Sequence, residues 1–187
     1  MSNAITEFKG NNFFLSNFFV APVFYQGIRF ENNEAAFQAA KCPERMQEFC
    51  GLSPQKAKRL GRRVELRPDW EEVKYDVMYQ VCKAKFLQNP DLFGQLLNTG
   101  DVELVEGNTW GDKVWGICSG VGENNLGKTL VRIRDELRQF QSDPLKTLVD
   151  EVGGEHEGGC GWHPDGTPCG ECSSLSCGAC PVYLSHE

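Results

Sequence analysis

Glu34 lies in Asn33-Glu34-Ala35-Ala36-Phe37-Gln38-Ala39-Ala40-Lys41, and Asp112 lies in Glu106-Gly107-Asn108-Thr109-Trp110-Gly111-Asp112-Lys113-Val114-Trp115-Gly116. Both stretches set an acid among small or aromatic residues, away from the solvated charge runs where most carboxylates sit. A carboxyl desolvated in such company has a raised pKa, as a general acid or base requires. Two such groups across a tryptophan-lined cleft have the means to hydrolyse a glycosidic bond beside a flat base. Each acid also has a plainer reading. Glu34 suits the first turn of a helix through the macrodipole, and Asp112 suits a turn between two core tryptophans.

The neighbouring residues supply binding chemistry. Trp110 and Trp115 offer faces on which a base can stack. Lys56, Lys58, Arg59, Arg62, Arg63 and Arg67 form a basic cluster opposed only by Glu65. That cluster suits a substrate phosphate, or else is a solvated helix face. Arg62 is the favoured member because it follows Gly61, expected to end a helix. Gly120-Val121-Gly122-Glu123-Asn124-Asn125-Leu126-Gly127 runs into the last helix. It fits neither dinucleotide nor P-loop spacing, so a helix-entry loop with an Asn cap competes with an anion site.

The elements that must position these groups are legible in outline. Val23-Phe24-Tyr25 and Ile28-Arg29-Phe30 flank Gln26-Gly27 and predict a hairpin, and Phe13-Phe14-Leu15 predicts an earlier strand. Asn33 is expected to cap the helix that carries Glu34. Ser53-Pro54 predicts a helix start and Gly61 its end. Asp69 with Glu72 reads as a capping-box variant, followed by apolar positions Trp70, Val73, Val77, Val81 and Ala84 at helical spacing. Asn89-Pro90 opens a further helix burying Leu92, Phe93, Leu96 and Leu97, and Thr99-Gly100 stops it. Val102 to Val105 and Val114 to Ile117 predict short strands. Leu126, Leu130, Ile133, Leu137 and Phe140 mark one face of a last helix, with Lys128, Arg132, Arg134 and Arg138 mostly elsewhere.

Charge divides the chain near residue 141. Residues 141–187 hold eight acids and a single base, which accounts for the whole net charge of −7. The first 140 residues are neutral. An acidic tail repels phosphate backbones and so argues against nucleic-acid binding there. The same segment holds Cys160, Cys169, Cys172, Cys177 and Cys180, with His156, His163 and His186 nearby. Its two Cys-x-x-Cys pairs resemble zinc knuckles but stand closer together than in a usual zinc ribbon. A flexible, redox-labile tail is the competing reading, and residues 1–140 are expected to form a single catalytic domain without it. Cys42, Cys50, Cys82 and Cys118 of the main body read as reduced thiols. No apolar run reaches the roughly 18 residues of a membrane span, and no basic region followed by an apolar run marks the N-terminus, so a cytoplasmic protein is expected.

Eight short motifs, in order, carry a resemblance. They are Leu15-Ser16-Asn17-Phe18; Glu34-x-x-Phe37-Gln38-Ala39-x-Lys41; Leu60-Gly61-Arg62; Arg67-x-Asp69-Trp70-x-x-Val73-Lys74; Ala84-Lys85-Phe86; Leu104-Val105-Glu106; Asp112-x-x-Trp115-Gly116; and Asn124-x-Leu126-Gly127. From about Phe8 to Leu137 the chain resembles the NADAR family, also called YbiA-like N-glycosidases. The resemblance implies an α+β fold, a mainly helical single domain with a small antiparallel sheet. It implies hydrolysis of ribosylamino-pyrimidine phosphate intermediates of riboflavin synthesis, releasing ribose 5-phosphate. Other members remove ADP-ribose from guanine bases.

The family's acidic motif residues map onto Glu34 and Asp112, which become the catalytic candidates. The substrate-binding candidates are Asn17, Arg62, Lys85, Trp110, Trp115 and Asn124. Within that scheme Arg62 and Lys85 neutralise phosphate, and Asn17 bonds the base edge or a ribose hydroxyl. No metal and no cofactor are required, and the expected partner is a small ribosylated nucleobase. Nucleic acid enters only with the ADP-ribosyl-guanine alternative. A non-catalytic NAD or ADP-ribose binding module is a third reading, disfavoured because holding anions does not call for two acids. A zinc-dependent interaction protein has only the tail to support it.

Overall fold

A computed structural model describes residues 4–142. The tail's proposed zinc turn, its cysteines and the expected flexible segment lie outside the described residues. Among the described residues the architecture is α+β, with five α-helices dominating three two-stranded sheets.

β2 (Val20–Tyr25) and β3 (Ile28–Asn32) form the expected antiparallel hairpin. Gln26 and Gly27 both take positive φ, 49° and 75°, the turn that matches strand twist. The register slips between Val20 and Val23. Pro22 sits in that gap, where a missing N–H costs no ladder bond. Ala21, Val23 and Tyr25 alternate inward. The other two sheets are parallel rather than antiparallel. β1 (Ala4–Ile5) pairs with β4 (Glu103–Leu104), and β5 (Gly107–Asn108) pairs with β6 (Ile117–Cys118). The short strand expected at Val114 begins only at Ile117. The N–H groups of Val114 and Trp115 are bonded to the Asp112 carboxylate and cannot join a ladder.

Phe13-Phe14-Leu15 is not a strand but the end of a 3-10 helix, Gly10–Leu15. Phe14 and Leu15 are buried in succession, which alternation cannot achieve. The carbonyls at its end are met by Lys85. This ammonium, on a residue 1% exposed, donates to Phe14 O at 2.6 Å and Ser16 O at 3.0 Å. Burial lowers its pKa to about 8, so it remains protonated at neutral pH. Lys85→Met should therefore destabilise the fold by about 1–3 kcal/mol, because two buried acceptors lose a charged donor. Urea denaturation reads this out, and a midpoint equal to the parent's would show that the contact contributes nothing.

α1 (Asn33–Ala39) is buried along its whole length. Its cap is Asn32, whose side chain accepts from Ala35 N at 2.9 Å, rather than Asn33. Asn33 turns inward and donates to Asn17 Oδ1. α2 (Pro54–Gly61) starts at Ser53 as expected. Gly61 serves close packing: a Cβ there would lie 2.0 Å from Gln38 Oε1 on α1. α3 (Trp70–Gln88) lacks the expected capping box. The Asp69 carboxylate is instead gripped by Arg67 through two bonds of 2.6 and 2.8 Å. α4 (Pro90–Asn98) buries Leu92 and Leu96, with Phe93 and Leu97 partly covered.

α5 (Asn125–Ser142) buries Leu126, Leu130, Ile133 and Leu137, but Phe140 is 40% exposed. Arg134 joins the buried face, held by Thr99 Oγ1 and Val102 O at 2.9 Å each. Among the described residues no helix is long and apolar enough to cross a membrane.

Candidate active site

A cavity of about 850 Å³ opens among α1, α2, the 3-10 segment and the Glu106–Trp115 loop. Its lining groups sort by chemistry. Glu34, Glu106 and Asp112 are the acids. Lys41, Lys58, Arg59 and Arg62 lie among the bases. Phe18, Phe37, Trp110 and Trp115 stand among the aromatic walls. A shallower depression of about 680 Å³ beside α5 has no aromatic wall.

Glu34 is 6% exposed, and its Oε1 accepts from Gln38 Nε2 at 2.8 Å, one helical turn on. Burial raises its pKa. The Gln38 bond and the charges of Lys58 and Lys41 pull it back, while Asp112 adds to the rise. Its backbone N–H donates to Asn17 O, which ties α1 to the 3-10 segment. Lys41 lies over the rings of Phe37 and Trp70, at 6.0 and 5.6 Å. Burial lowers its pKa against the opposing pull of Glu34.

Asp112 lines the cavity and also holds its own loop together. Its Oδ1 accepts from Val114 N at 3.1 Å and Trp115 N at 2.9 Å. Asn108 clasps its backbone from both sides, accepting from Asp112 N and donating to Asp112 O. The plainer reading of Asp112 as a turn residue therefore describes its contacts, and the cavity wall is a second place it occupies. Trp115 packs edge-on to Phe37 and against Tyr75, with ring centroids 5.4 and 5.5 Å away. It is thus a supported wall, whereas Trp110 is 58% exposed at the rim. Arg62 lies at the same cavity, near Lys58 and Arg59.

Asn17 lines the cavity too, but its amide is engaged inside the protein. Its Nδ2 donates to Met78 Sδ, and its Oδ1 accepts from Asn33. Two candidates fall outside the wall. Lys85 is spent on the Phe14 and Ser16 carbonyls. Asn124, at φ 55°, ties the entry of α5 to the Leu104–Glu106 segment, donating to Leu104 O at 2.9 Å and accepting from Glu106 N at 3.0 Å. In both, the polar atoms are already matched by backbone groups.

Glu106, to which its sequence context assigns no role, also lines the cavity. Its Oε2 is buried without a hydrogen-bond partner. Burial first, and then the Asp112 charge, push its pKa up to about 7, with Lys58 and Lys9 opposing. Its position directly after the apolar Leu104-Val105 pair is the available signal: an acid following a short apolar run. Among the described residues no group of three or more His, Cys, Asp or Glu is arranged to hold a metal ion.

Fold and site together define a YbiA-like α+β protein with a cavity that sets acids against aromatic and basic walls. The solved NMR structure of the E. coli protein YbiA superposes with a TM-score of 0.65 at 31% identity, covering 85% of this chain and 94% of that one. A family model for the NADAR domain matches residues 5–138, and the chain belongs to that family. Riboflavin biosynthesis protein VVA0006 of Vibrio vulnificus is 35% identical over 148 residues, covering 76% of this chain but only 40% of the Vibrio protein. N-glycosidase YbiA of Shigella boydii is 38% identical over 128 residues, covering 65% of this chain and 79% of the relative. N-glycosidase R617 of Acanthamoeba polyphaga mimivirus is 40% identical over 98 residues, or 45% and 57% of the two chains.

Proposed function

We propose that this chain is an N-glycosidase that hydrolyses the C1–N bond of a ribosylamino-pyrimidine phosphate and releases ribose 5-phosphate. The observation that carries the reading is the cavity itself. A carboxyl held by Gln38 is desolvated there, between an aromatic wall and a cationic one. The names of the relatives add the bond class. Breaking C1–N moves the bonding pair onto nitrogen and leaves positive charge on the ribose. Glu34 lies where a carboxylate could stabilise that charge. Water adds its oxygen to C1, and the amine leaves with one added proton. Trp115 provides a fixed stacking face, and Trp110 closes over the base from the rim. Asp112 adds negative charge near both glutamates and keeps the loop in place.

The basic wall is richer than one phosphate requires. Lys58, Arg59 and Arg62 would also suit a diphosphate, which favours the ADP-ribosyl-guanine reading as the second choice. Incubation of the purified protein with a ribosylamino-pyrimidine phosphate and, separately, with ADP-ribosylated DNA decides between them. Release of ribose 5-phosphate from the first alone supports the primary reading. Cleavage of the second alone replaces it, and cleavage of neither sinks both.

Arg62→Ala should raise KM about tenfold with little change in kcat, the size of one charge-assisted contact shared with neighbouring cations. The phosphate does not change charge during the reaction, so the contact acts equally on ground and transition states. The loss should vanish on the dephosphorylated substrate. Equal losses on both substrates would assign Arg62 to structure.

A further inference from the structure

Among the acids of the cavity, Glu106 has a buried carboxyl oxygen that the protein leaves without a donor. Glu34 receives Gln38, and Asp112 receives two backbone N–H groups. Glu106 Oε2 receives none. The mount beneath it is nevertheless rigid. Its N–H donates to Asn124 Oδ1 at 3.0 Å, and its C=O accepts from Ile117 N at 2.9 Å. Gly116 packs so closely that a Cβ there would lie 3.0 Å from Glu106 Cγ.

A buried carboxyl with no donor favours its protonated form, and a protonated carboxyl needs an acceptor. Oε2 is enclosed, so the proton is delivered from the carboxyl's other oxygen, and because Glu106 lines the cavity a bound substrate is the acceptor it can reach. We propose that Glu106 is the proton donor to the nitrogen that leaves as the C1–N bond breaks, with Glu34 as the carboxylate facing the ribosyl carbon. This rests on the N-glycosidase reading.

In this step the Glu106 O–H breaks and its proton goes to the departing nitrogen, which keeps the C1–N pair. Water bonds to C1 and gives a proton to Glu34. Glu106 then regains a proton from solvent, and Glu34 loses one to it. One water is consumed, and an amine and a ribose phosphate are released.

The environments of the two glutamates differ in the needed sense. Glu34 has an amide donor and the cations Lys58 and Lys41 to support its charge. Glu106 faces the negative Asp112, with Lys58 and Lys9 as weaker opposing influences. Burial and Asp112 place its titration at about 7, near the operating pH at which a general acid works best. Asp112 is then a positioning residue for Glu106, acting through its charge.

The test compares two substrates. One is the ribosylamino-pyrimidine phosphate. The other is 4-nitrophenyl β-ribofuranoside 5-phosphate, whose leaving phenolate needs no proton. Glu106→Gln should lose on the order of a hundredfold in kcat/KM on the first and no more than about fivefold on the second. The alkaline limb of the wild-type pH profile should be absent from Glu106→Gln. Asp112→Asn should move that limb to lower pH, because a neutral neighbour lets Glu106 ionise more readily. Equal losses on both substrates, near-wild-type turnover, or an alkaline limb that survives in Glu106→Gln would overturn the assignment. Wild-type protein inert on both substrates would overturn the N-glycosidase reading, and this proposal with it.

Discussion

Replacing Glu34 with Gln is expected to lower kcat roughly a hundred- to a thousandfold, the range for removing one preorganised charge-stabilising group. Gln is nearly isosteric, and its Oε1 can still accept from Gln38, so the α1 packing stays intact. The loss should fall on kcat more than on KM, because the charge it stabilises exists only as the C1–N bond breaks. Stability should move the other way. Burial raises the Glu34 pKa above its unfolded value, so the folded state holds its proton more tightly. Parent stability therefore falls as pH rises from the ordinary carboxylate range through the folded pKa. Glu34→Gln lacks this penalty and should equal or exceed the parent in thermal stability at pH 8. Turnover near the parent's in a correctly folded variant would remove Glu34 from the mechanism. A collapse in stability would instead make it a structural acid.

Gly116→Ala is expected to cost about 2–3 kcal/mol of stability, the upper part of the range for overpacking, and most of the activity. The added Cβ would lie 2.2 Å from Glu106 O and 2.8 Å from Asn108 Nδ2. Neither neighbour can yield cheaply. Glu106 O accepts from Ile117 N, and Asn108 Nδ2 donates to Asp112 O at 2.7 Å. Relief of the clash must therefore shift the link between β4 and β5 that carries Glu106 or the clasp that holds Asp112. Urea denaturation and a single-substrate assay read both consequences. A parent-like midpoint with parent-like activity would show that the loop has slack that these distances deny.

What could be read from the chain alone was local. Gln26-Gly27 predicts its turn because positive φ is a property of those two residues. Ser53-Pro54 predicts a helix start because the cap bond reaches only three residues ahead. The Leu126, Leu130, Ile133 and Leu137 spacing predicts α5 because one helical period decides which face is covered. Glu34 is only half legible. A helix of Ala, Phe and Gln points to desolvation, but an ordinary first-turn acid favoured by the macrodipole fits the same residues. Only the fold puts it on the cavity wall.

The tertiary structure decided everything that depended on distant partners. Lys85 reads as a phosphate ligand in sequence, but the carbonyls that claim it come from about seventy residues earlier. Asn124 likewise meets Leu104 and Glu106 across a loop. Gly61 ends α2 as its sequence predicts, but its second role, leaving room for Gln38 of α1, depends on a distant partner. Asp69 has the spacing of a cap, yet Arg67 reaches it first. Glu106 is the sharpest case. Its sequence context offers an acid following a short apolar run. Only the approach of Asp112, the burial of Oε2 and the absence of a donor make it a group that titrates near neutrality. Propensity and periodicity act over a few residues and determine elements. Desolvation and Coulomb interactions act across space, so the identity of the working acids waits on which elements the fold brings together.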